Sequence, residues 1–309
     1  MILYGTLLWI DESNHSSINN KNNKIVSYFR QIDVLAKTLK FHHGVKLIVF
    51  TNDVLRLYEW FKERNEIRPF LIEIKASYVV PDKTPFFGAH YKLEALAAAR
   101  NLLESYNDRF LLLDSDVIVV RPFNEVQMNA IYESDLLTYD ITEQVNSVYG
   151  YDKIRKDLEL VANETFENHN WYGGEFLCGG ITGFDLLLKE AREMLPRYFE
   201  NINSIHHIGD EMFISAALNK ISLMSSEIIL SKQKSERLIT RHWSRFSNPS
   251  IDWHLKHSLI HCPGSKPLIE VLSKFKVPSV YPVGYFLKIY SVFVRFYQLL
   301  KNLLIKSNK

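Results

Sequence analysis

The apolar run 110–120 is interrupted in its middle by two carboxylates, Asp114 and Asp116, with Ser115 between them. Burying an unpaired carboxylate is costly, so a chain that keeps both acids inside such a run must supply compensating partners. At the carboxyl end of a strand in an open α/β sheet, residues i and i+2 can both approach one divalent cation if the chain turns there. The alternative is a hairpin with an exposed Asp-Ser-Asp turn. The apolar residues on both sides favour the buried site.

Apolar strand-like and helix-like patterns alternate along the first half of the chain, which is typical of a mainly parallel sheet covered by helices. The fold class we predict is therefore α/β. The predicted strands and helices of this half are strands at 1–10, 46–50 and 71–74, the strand-like run at 110–120, and helices at 25–39, 54–64 and 90–103. The later predictions are a loop at 163–180, a helix at 184–199, a loop opening into a short helix at 209–218, and irregular structure at 231–256.

The composition is that of a globular protein with a large core. Hydrophobic residues make up 47% of the 309 positions, which leaves little room for long disorder. The two cysteines, Cys178 and Cys262, lie far apart without metal-ligand spacing, so neither a disulfide framework nor a structural zinc site is indicated. The first residues lack the basic region and cleavage site of a signal peptide. We therefore expect a cytoplasmic protein.

Three sequence features together resemble one known family. The first is the run Leu-Leu-Leu-Asp-Ser-Asp at 111–116, preceded by a helix-like stretch with His-Tyr-Lys at 90–92. The second is His-Cys-Pro-Gly-Ser-Lys-Pro at 261–267. The third is the order and spacing of these elements over residues 1–270. The chain resembles the GT-A glycosyltransferases, and more narrowly the retaining family that includes glycogenin and bacterial lipopolysaccharide galactosyltransferases.

The resemblance implies a metal centre made by Asp114, Asp116 and His261, with Mn²⁺ or Mg²⁺ as the ion. Neutral imidazole is a suitable ligand for a transition metal such as Mn²⁺, in agreement with this set. An ion held there would bridge the two phosphates of a nucleotide sugar and stabilise the leaving diphosphate.

The resemblance also implies a donor site around the metal. It assigns Gly264 and Lys266 to the diphosphate, and it places Lys92 and Ser115 among the donor-binding residues. An ammonium group is a compact partner for phosphate. The segment 261–267 has one residue fewer between its glycine and lysine than the family's His-x-x-Gly-x-x-Lys-Pro element.

Two later segments supply candidate catalytic carboxylates. The segment 171–180 combines aromatic residues and two glycine pairs with Glu175, and glycines let backbone approach a ligand while aromatic rings stack on sugars. An ordinary turn-strand-turn is the alternative. Asp210 and Glu211 precede a predicted helix, where acids are also favoured by capping and the helix dipole. An inverting enzyme would need one of them as general base, whereas the resemblance favours retention, in which the departing diphosphate oxygen can take the acceptor proton.

The nucleotide is expected at the carboxyl ends of the first two strands. The candidates there are Trp9, Asp11 and Asp53, together with Leu8 and Asn52. Either acid could bind ribose or uracil, and either could equally be a turn residue. Uridine is the base that the resemblance implies.

The end of the chain differs in charge from the rest. Residues 271–309 contain seven Lys and Arg residues and no Asp or Glu, so residues 1–270 are net negative although the whole chain carries +2. Residues 283–305 are rich in Tyr, Phe, Leu, Ile and Val but too interrupted by charge for a membrane span. A basic, aromatic-rich amphipathic helix can lie on an anionic membrane, and resembling bacterial enzymes use such C-termini in this way. We predict membrane attachment. The alternative is a helix docked on the catalytic body or on a dimer partner.

These features predict a GT-A catalytic domain at 1–277, with a nucleotide-sugar-binding part at about 1–125 and an acceptor-binding part at about 126–277, followed by a basic amphipathic tail at 278–309. The predicted activity is a metal-dependent glycosyltransferase of the hexosyltransferase type. It would transfer a sugar from a UDP-sugar, with retention, to a glycan or lipid-linked acceptor in surface polysaccharide or lipopolysaccharide biosynthesis. We expect it on the cytoplasmic face of a membrane, with no nucleic acid partner.

Other functions stay open at this level. In a phosphatase that uses Asp-x-Asp, the pair usually follows the first strand, whereas here it follows several elements. A sugar nucleotidyltransferase would need a glycine-rich, basic phosphate loop after the first strand, which the sequence lacks. The non-enzymatic alternatives are an inactive sugar-nucleotide-binding relative and a pure interaction module.

Overall fold

The computed structural model describes residues 1–11, 18–62, 67–224, 230–232, 237–242, 250–276, 283–290 and 292. The first half comprises β1 (Ile2–Leu8), α1 (Ile18–His43), β2 (Ile48–Thr51), α2 (Val54–Phe61), β3 (Phe70–Glu73), a 3-10 turn (Phe87–Tyr91) leading into α3 (Lys92–Asn101), β4 (Arg109–Leu113) and β5 (Val117–Val119). The second half comprises α4 (Glu125–Glu133), β6 (Leu136–Asp140), α5 (Thr142–Tyr149), α6 (Tyr151–Ala162), β7 (Tyr172–Gly179), α7 (Ile181–Glu200), α8 (Asp210–Met224), β8 (Leu230–Lys232), β9 (Ile239–Arg241), α9 (Ile251–His254), β10 (Leu259–His261) and α10 (Lys266–Leu272).

Seven strands form one mixed sheet in the order β3-β2-β1-β4-β7-β6-β8. Strands β1 to β4 run parallel, while β7 is antiparallel to both of its neighbours. The chain moves outward from β1 through β2 to β3 and then returns to add β4 on the other side of β1. A topological switch point therefore lies between β1 and β4, and open α/β sheets bind ligands beyond the carboxyl ends of strands at such a point. This architecture confirms the predicted α/β class.

Strand β4 is packed on both of its faces. Phe110 and Leu112 join a core cluster with α3, α7 and α8, whereas Leu111 and Leu113 join a second cluster with α1 and α2. The assignments alternate because successive side chains of a strand point to opposite faces. All five residues of β4 are buried, and burying each leucine contributes about 1.5–3 kcal/mol. The strand that leads to Asp114 is thus firmly fixed.

The strand-like run 110–120 forms two strands in different sheets. β4 belongs to the large sheet, and β5 pairs with β10 in a second sheet of three strands ordered β5-β10-β9. The chain turns between them, where the backbone N–H of Val117 donates to the carbonyl of Asp114 at 3.2 Å. The expected turn at the two acids is therefore present.

The predicted loop at 163–180 is wrong over its second half. β7 is a central strand with all eight residues buried, although glycines usually weaken strands. A Cβ atom at Gly173 would overlap the carboxylate of Glu175, and one at Gly174 would overlap that of Asp210. The glycines leave room for charged groups beside the strand, so they mark close packing and not a turn.

Two further predictions need correction. The short helix predicted at 209–218 continues as α8 to Met224. The stretch 231–256, predicted as irregular, contains β9 and α9, which are three and four residues long. Elements this short carry too little periodicity to be recognised from sequence.

The first part of the tail docks on the body of the protein. Residues 283–290 are helical, and Val283 and Leu287 are fully buried in a third core cluster with Ile118 and Ile260. The hydroxyl of Tyr290 donates to the carbonyl of Gly264 at 3.0 Å. The predicted boundary between residues 277 and 278 and the residues from 293 onward lie outside the described residues. Within the described part of the chain, no helix is long and apolar enough to cross a membrane.

Candidate metal and donor site

The ends of two strands bring the predicted metal ligands together at the switch point. Asp114 and Asp116 follow β4 directly, and the antiparallel pairing of β5 with β10 places His261 opposite Val117. The N–H of Cys262 donates to the carbonyl of Asp116 at 3.0 Å, which ties the end of β10 to the turn. The local fold thus places a histidine beside two acids that precede it by about 150 residues.

One ligand atom from each of Asp114, Asp116 and His261 lies within 4.8 Å of the others. His261 Nε2 is 3.1 Å from Asp116 Oδ1 and 3.9 Å from Asp114 Oδ2. Asp116 and His261 are buried, whereas the side chain of Asp114 is 35% exposed. The cluster is therefore fixed on one side and open to solvent at Asp114.

His261 is oriented by a carboxylate on its other side. Its Nδ1 lies 3.1 Å from Oε1 of the fully buried Glu175. Burial lowers the pKa of His261, but the charges of Asp116 and Glu175 outweigh it and raise this pKa to about 10. Burial raises the pKa of Asp116, while the charge of His261 and that of Lys266 hold it below its usual range. A carboxylate behind a ligating histidine is a common outer partner in metal sites, because it fixes the orientation of the ring.

The charge balance of the site fits a divalent cation. In the described part of the site, five carboxylates that are buried or half-buried lie close together, and four of them directly contact Lys92 or Arg241. Among the residues that the structure describes, only His261 is in direct ionic contact with Asp116, and the charge of His261 depends on a proton. Two carboxylate oxygens and an imidazole nitrogen suit Mn²⁺ or Mg²⁺, with the nitrogen favouring Mn²⁺. The residues present can therefore hold such an ion.

Lys92 links this cluster to the start of α8. Its Nζ lies 3.0 Å from Asp114 Oδ1, donates to the carbonyl of Gly174 at 2.7 Å and forms an ion pair with Asp210. Burial lowers the pKa of Lys92, but the charges of Asp114 and Asp210 outweigh it and raise the pKa above its usual range. Burial raises the pKa of Asp210 to about 6, against the opposing effect of Lys92. Lys92 is therefore a permanent cation shared by two carboxylates.

Arg241 on β9 holds the other two candidate carboxylates. Its guanidinium donates to both oxygens of Glu175, at 2.7 and 2.5 Å, and to Oε1 of Glu211 at 2.7 Å. Glu211 also accepts from Trp171 Nε1 at 3.0 Å and from the N–H of Gly174 at 3.2 Å. These contacts fix Glu175 and Glu211 in place. Arg241 was not among the site residues predicted from the sequence.

A cavity of about 690 Å³ lies at the carboxyl ends of β1 and β2, and its walls include Trp9, Asp11 and Asp53. Trp9 stacks on Tyr91 with ring centroids 3.7 Å apart. Asn52 bonds to both backbone groups of Ile10, at 2.7 and 2.9 Å, so it braces the end of β1. The structure thus brings four of the five predicted nucleotide candidates together around one cavity, whereas Leu8 is buried in the second core cluster.

Comparison with known proteins identifies the fold. No protein-family model matches the sequence, and no curated protein matches it. Among solved structures, the galactosyltransferase LgtC in complex with donor and acceptor sugar analogues is 10% identical, with a TM-score of 0.55 over 89% of this chain and 95% of that one. An active-site mutant of LgtC is 12% identical, with a TM-score of 0.53 over 92% of this chain and 100% of that one. This chain has the GT-A fold. At these identities the similarity concerns the fold, for which the resemblance stated from sequence is confirmed.

The remaining predicted donor residues lie around the same edge of the GT-A fold. Ser115 donates its hydroxyl to Gln31 Oε1 at 3.0 Å. Gly264 follows β10, and its carbonyl accepts from the tail. Lys266 begins α10, half-buried, with its amine 4.9 Å from the ring centroid of Tyr28. Asp53 accepts from the N–H of Arg56 at 3.0 Å and so caps α2, which is the turn role that the sequence left open beside nucleotide binding.

Proposed function

We propose that this protein is a metal-dependent glycosyltransferase that uses a nucleotide-diphosphate sugar, with UDP as the nucleotide. The acceptor is a glycan or a lipid-linked sugar, in the assembly of a surface polysaccharide or lipopolysaccharide. The observation that carries the proposal is the cluster of Asp114, Asp116 and His261 at the switch point of a GT-A fold. LgtC, whose fold it shares, is a galactosyltransferase that has been solved with donor and acceptor sugar analogues.

In this proposal, Asp114, Asp116 and His261 hold Mn²⁺ or Mg²⁺. When bound, the ion supplies positive charge that stabilises the diphosphate as a leaving group. Glu175 keeps His261 oriented through the contact at Nδ1. The half-buried Lys266 lies close enough to Asp116 for its positive charge to lower the pKa of that carboxyl. This supports a role for the Lys266 amine at the diphosphate. The cavity beside Trp9 receives the nucleoside.

The state of the candidate acids supports a reaction with retention. Glu175 and Glu211 are both held by Arg241, and Asp210 is paired with Lys92. An inverting enzyme needs a carboxylate that can reach and deprotonate the acceptor hydroxyl. In this proposal, Asp210 faces the donor sugar. The acceptor proton then passes to the departing diphosphate oxygen.

The test is calorimetric titration of UDP into the purified full-length chain with and without Mn²⁺. We expect UDP binding that requires Mn²⁺ and that weakens by about 100-fold or more in Asp116→Asn, because one of three ligands is lost. The matched control is Asp185→Asn, which removes an exposed carboxylate paired with Arg100. If neither UDP nor any other nucleoside diphosphate binds in a metal-dependent way, the proposal is wrong.

We also propose that the C-terminal residues attach the protein to the cytoplasmic face of an anionic membrane. The absence of acids after Glu270 supports this, as does the exposure of Tyr285 and Ile289 on the outer side of the docked helix 283–290. Each basic residue near an anionic surface contributes about 1 kcal/mol. The full chain should cosediment with phosphatidylglycerol vesicles but not with phosphatidylcholine vesicles.

Two matched triple variants test whether the basic residues of the tail or those of the body bind the vesicles. A change of Lys301, Lys306 and Lys309 to Glu should reduce vesicle binding more than tenfold. The same change at the exposed body residues Lys46, Lys75 and Lys153 should have a smaller effect. Equal effects of the two triple variants would contradict attachment through the tail.

A further inference from the structure

A chain of buried hydrogen bonds joins the start of α3 to the start of α8. His90 Nδ1 lies 3.1 Å from the carbonyl oxygen of Phe86, and His90 Nε2 lies 2.8 Å from the hydroxyl of Tyr198. The same hydroxyl accepts from the N–H of Gly209 at 3.0 Å. His90 and Tyr198 are both fully buried. One hydroxyl thus connects the start of α3, the end of α7 and the start of α8.

The direction of each bond follows from the chemistry of its ends. A carbonyl oxygen can only accept, so His90 Nδ1 carries the proton. Burial lowers the pKa of His90, and in the neutral ring Nε2 is then the acceptor. The hydroxyl of Tyr198 must therefore donate to His90 and accept from Gly209. Every group has its partner, and such satisfied buried networks specify a single arrangement.

Each end of this chain lies next to a charged residue of the candidate site. Lys92 is two residues beyond His90 and begins α3, while Asp210 follows Gly209 and begins α8. Gly209 has a φ of 149°, a conformation that favours glycine. Lys92 and Asp210 form the ion pair that also contacts Asp114 through Lys92. The hydrogen-bond chain fixes the two backbones that carry this pair.

We propose that Tyr198 is a positioning residue. Through its bonds to His90 and to the N–H of Gly209, it holds Asp210 against Lys92, beside the cluster of Asp114, Asp116 and His261. The inference rests on the proposed function for its catalytic consequence. The ion pair borders the space next to Asp114, where the donor diphosphate and sugar lie in that function. A displacement of about 1 Å in such a pair can lower turnover about 100-fold while the metal ligands stay in place.

The test compares Tyr198→Phe with Tyr172→Phe in the full-length chain. Both changes keep a buried ring and remove one hydroxyl. That of Tyr172 has no hydrogen-bond partner among the described residues, which makes it a matched control. In Tyr198→Phe, amide hydrogen exchange should speed up about tenfold in both segments, 86–92 and 207–212, because Gly209 and His90 each lose a partner. In Tyr172→Phe it should stay unchanged there.

Turnover of UDP-galactose and UDP-glucose with Mn²⁺ supplies the second measurement. In Tyr198→Phe, kcat should fall at least tenfold while KM and the Mn²⁺-dependent affinity for UDP stay within about twofold. His90→Leu should behave like Tyr198→Phe. His90→Gln should recover part of the activity, because its amide oxygen can accept from the tyrosine hydroxyl.

The outcomes separate this inference from the proposed function. Unchanged exchange in either segment, or equal effects of the two Tyr→Phe variants, would overturn the positioning role. Loss of stability without a change in kcat would mean that Tyr198 serves only in packing, and would also overturn the positioning role. If the unmodified protein binds no UDP with Mn²⁺, the proposed function fails, and the exchange comparison still decides whether Tyr198 holds the two segments together.

Discussion

Two groups of carboxylates lie at the same edge of the sheet and differ in what balances their charge. The first group, which we call the metal cluster, consists of Asp114 and Asp116 with His261. Among the described residues, His261 is the only direct ionic partner of Asp116, and Asp114 shares Lys92 with Asp210. The second group, which we call the arginine network, consists of Arg241 with Glu175 and Glu211. There a permanent cation donates to both carboxylates.

The difference shows which acids are available for a ligand. The side chain of Asp114 is 35% exposed, whereas that of Glu175 is not exposed at all. A buried carboxylate that already has a guanidinium gains little from another cation, while the metal cluster has negative charge that the described residues only partly balance. In the proposed function, the arginine network therefore supports the site, and the carboxylates of Asp114 and Asp116 are the ones available to an ion.

The largest expected effect is on folding stability, from Arg241→Gln. The change leaves Glu175 and Glu211 without their cation, and breaking a buried pair in this way costs about 3–5 kcal/mol. Urea unfolding followed by circular dichroism measures the loss. Arg100→Gln is the control, since Arg100 pairs with Asp185 at the surface and such pairs contribute about 1 kcal/mol or less.

Addition of Mn²⁺ makes this comparison sharper. The ion should stabilise the unmodified protein, because it binds only the folded state. Mn²⁺ should not restore Arg241→Gln to the stability of the unmodified protein with Mn²⁺ bound. The ion balances the charge of Asp114 and Asp116, whereas the variant lacks the cation that pairs with Glu175 and Glu211. Full recovery on adding Mn²⁺ would mean that the two groups behave as one charge cluster and would contradict the distinction drawn here.

Much of the fold could be predicted from the sequence because its first half has clear periodicity. The strand pattern over β1, β2 and β3 and the helix pattern of α3 match the structure within a few residues. β7 was missed because four glycines within the segment 171–180 are typical of turns. The reason for two of them, space for the carboxylates of Glu175 and Asp210, depends on contacts between distant segments.

The candidate site was predicted unevenly for a similar reason. Asp114 and Asp116 were evident because they interrupt an apolar run, and His261 was assigned through the family motif that it resembles. Arg241 had no such signal, since its strand is three residues long and lies in a stretch of mixed aromatic and basic residues. Its role appears only where β9 runs parallel to β10 and brings it beside His261. Which residues contact a metal-ligating side chain on the side away from the ion depends on this packing, and a single sequence does not show it.

The smaller expected effect is on metal affinity, from Glu175→Gln, because Glu175 belongs to the arginine network and also contacts His261 at 3.1 Å. An amide in its place removes the negative charge behind the histidine, so His261 becomes a weaker and less well oriented ligand. Loss of such an outer partner lowers metal affinity about 10- to 100-fold. Calorimetric titration of Mn²⁺ gives the affinity directly. Glu190→Gln is the control, since Glu190 is also buried but pairs with Lys220 and Lys189 away from the site. Equal Mn²⁺ affinities in the two variants would show that the arginine network balances charge without orienting His261, and the two groups would then be independent.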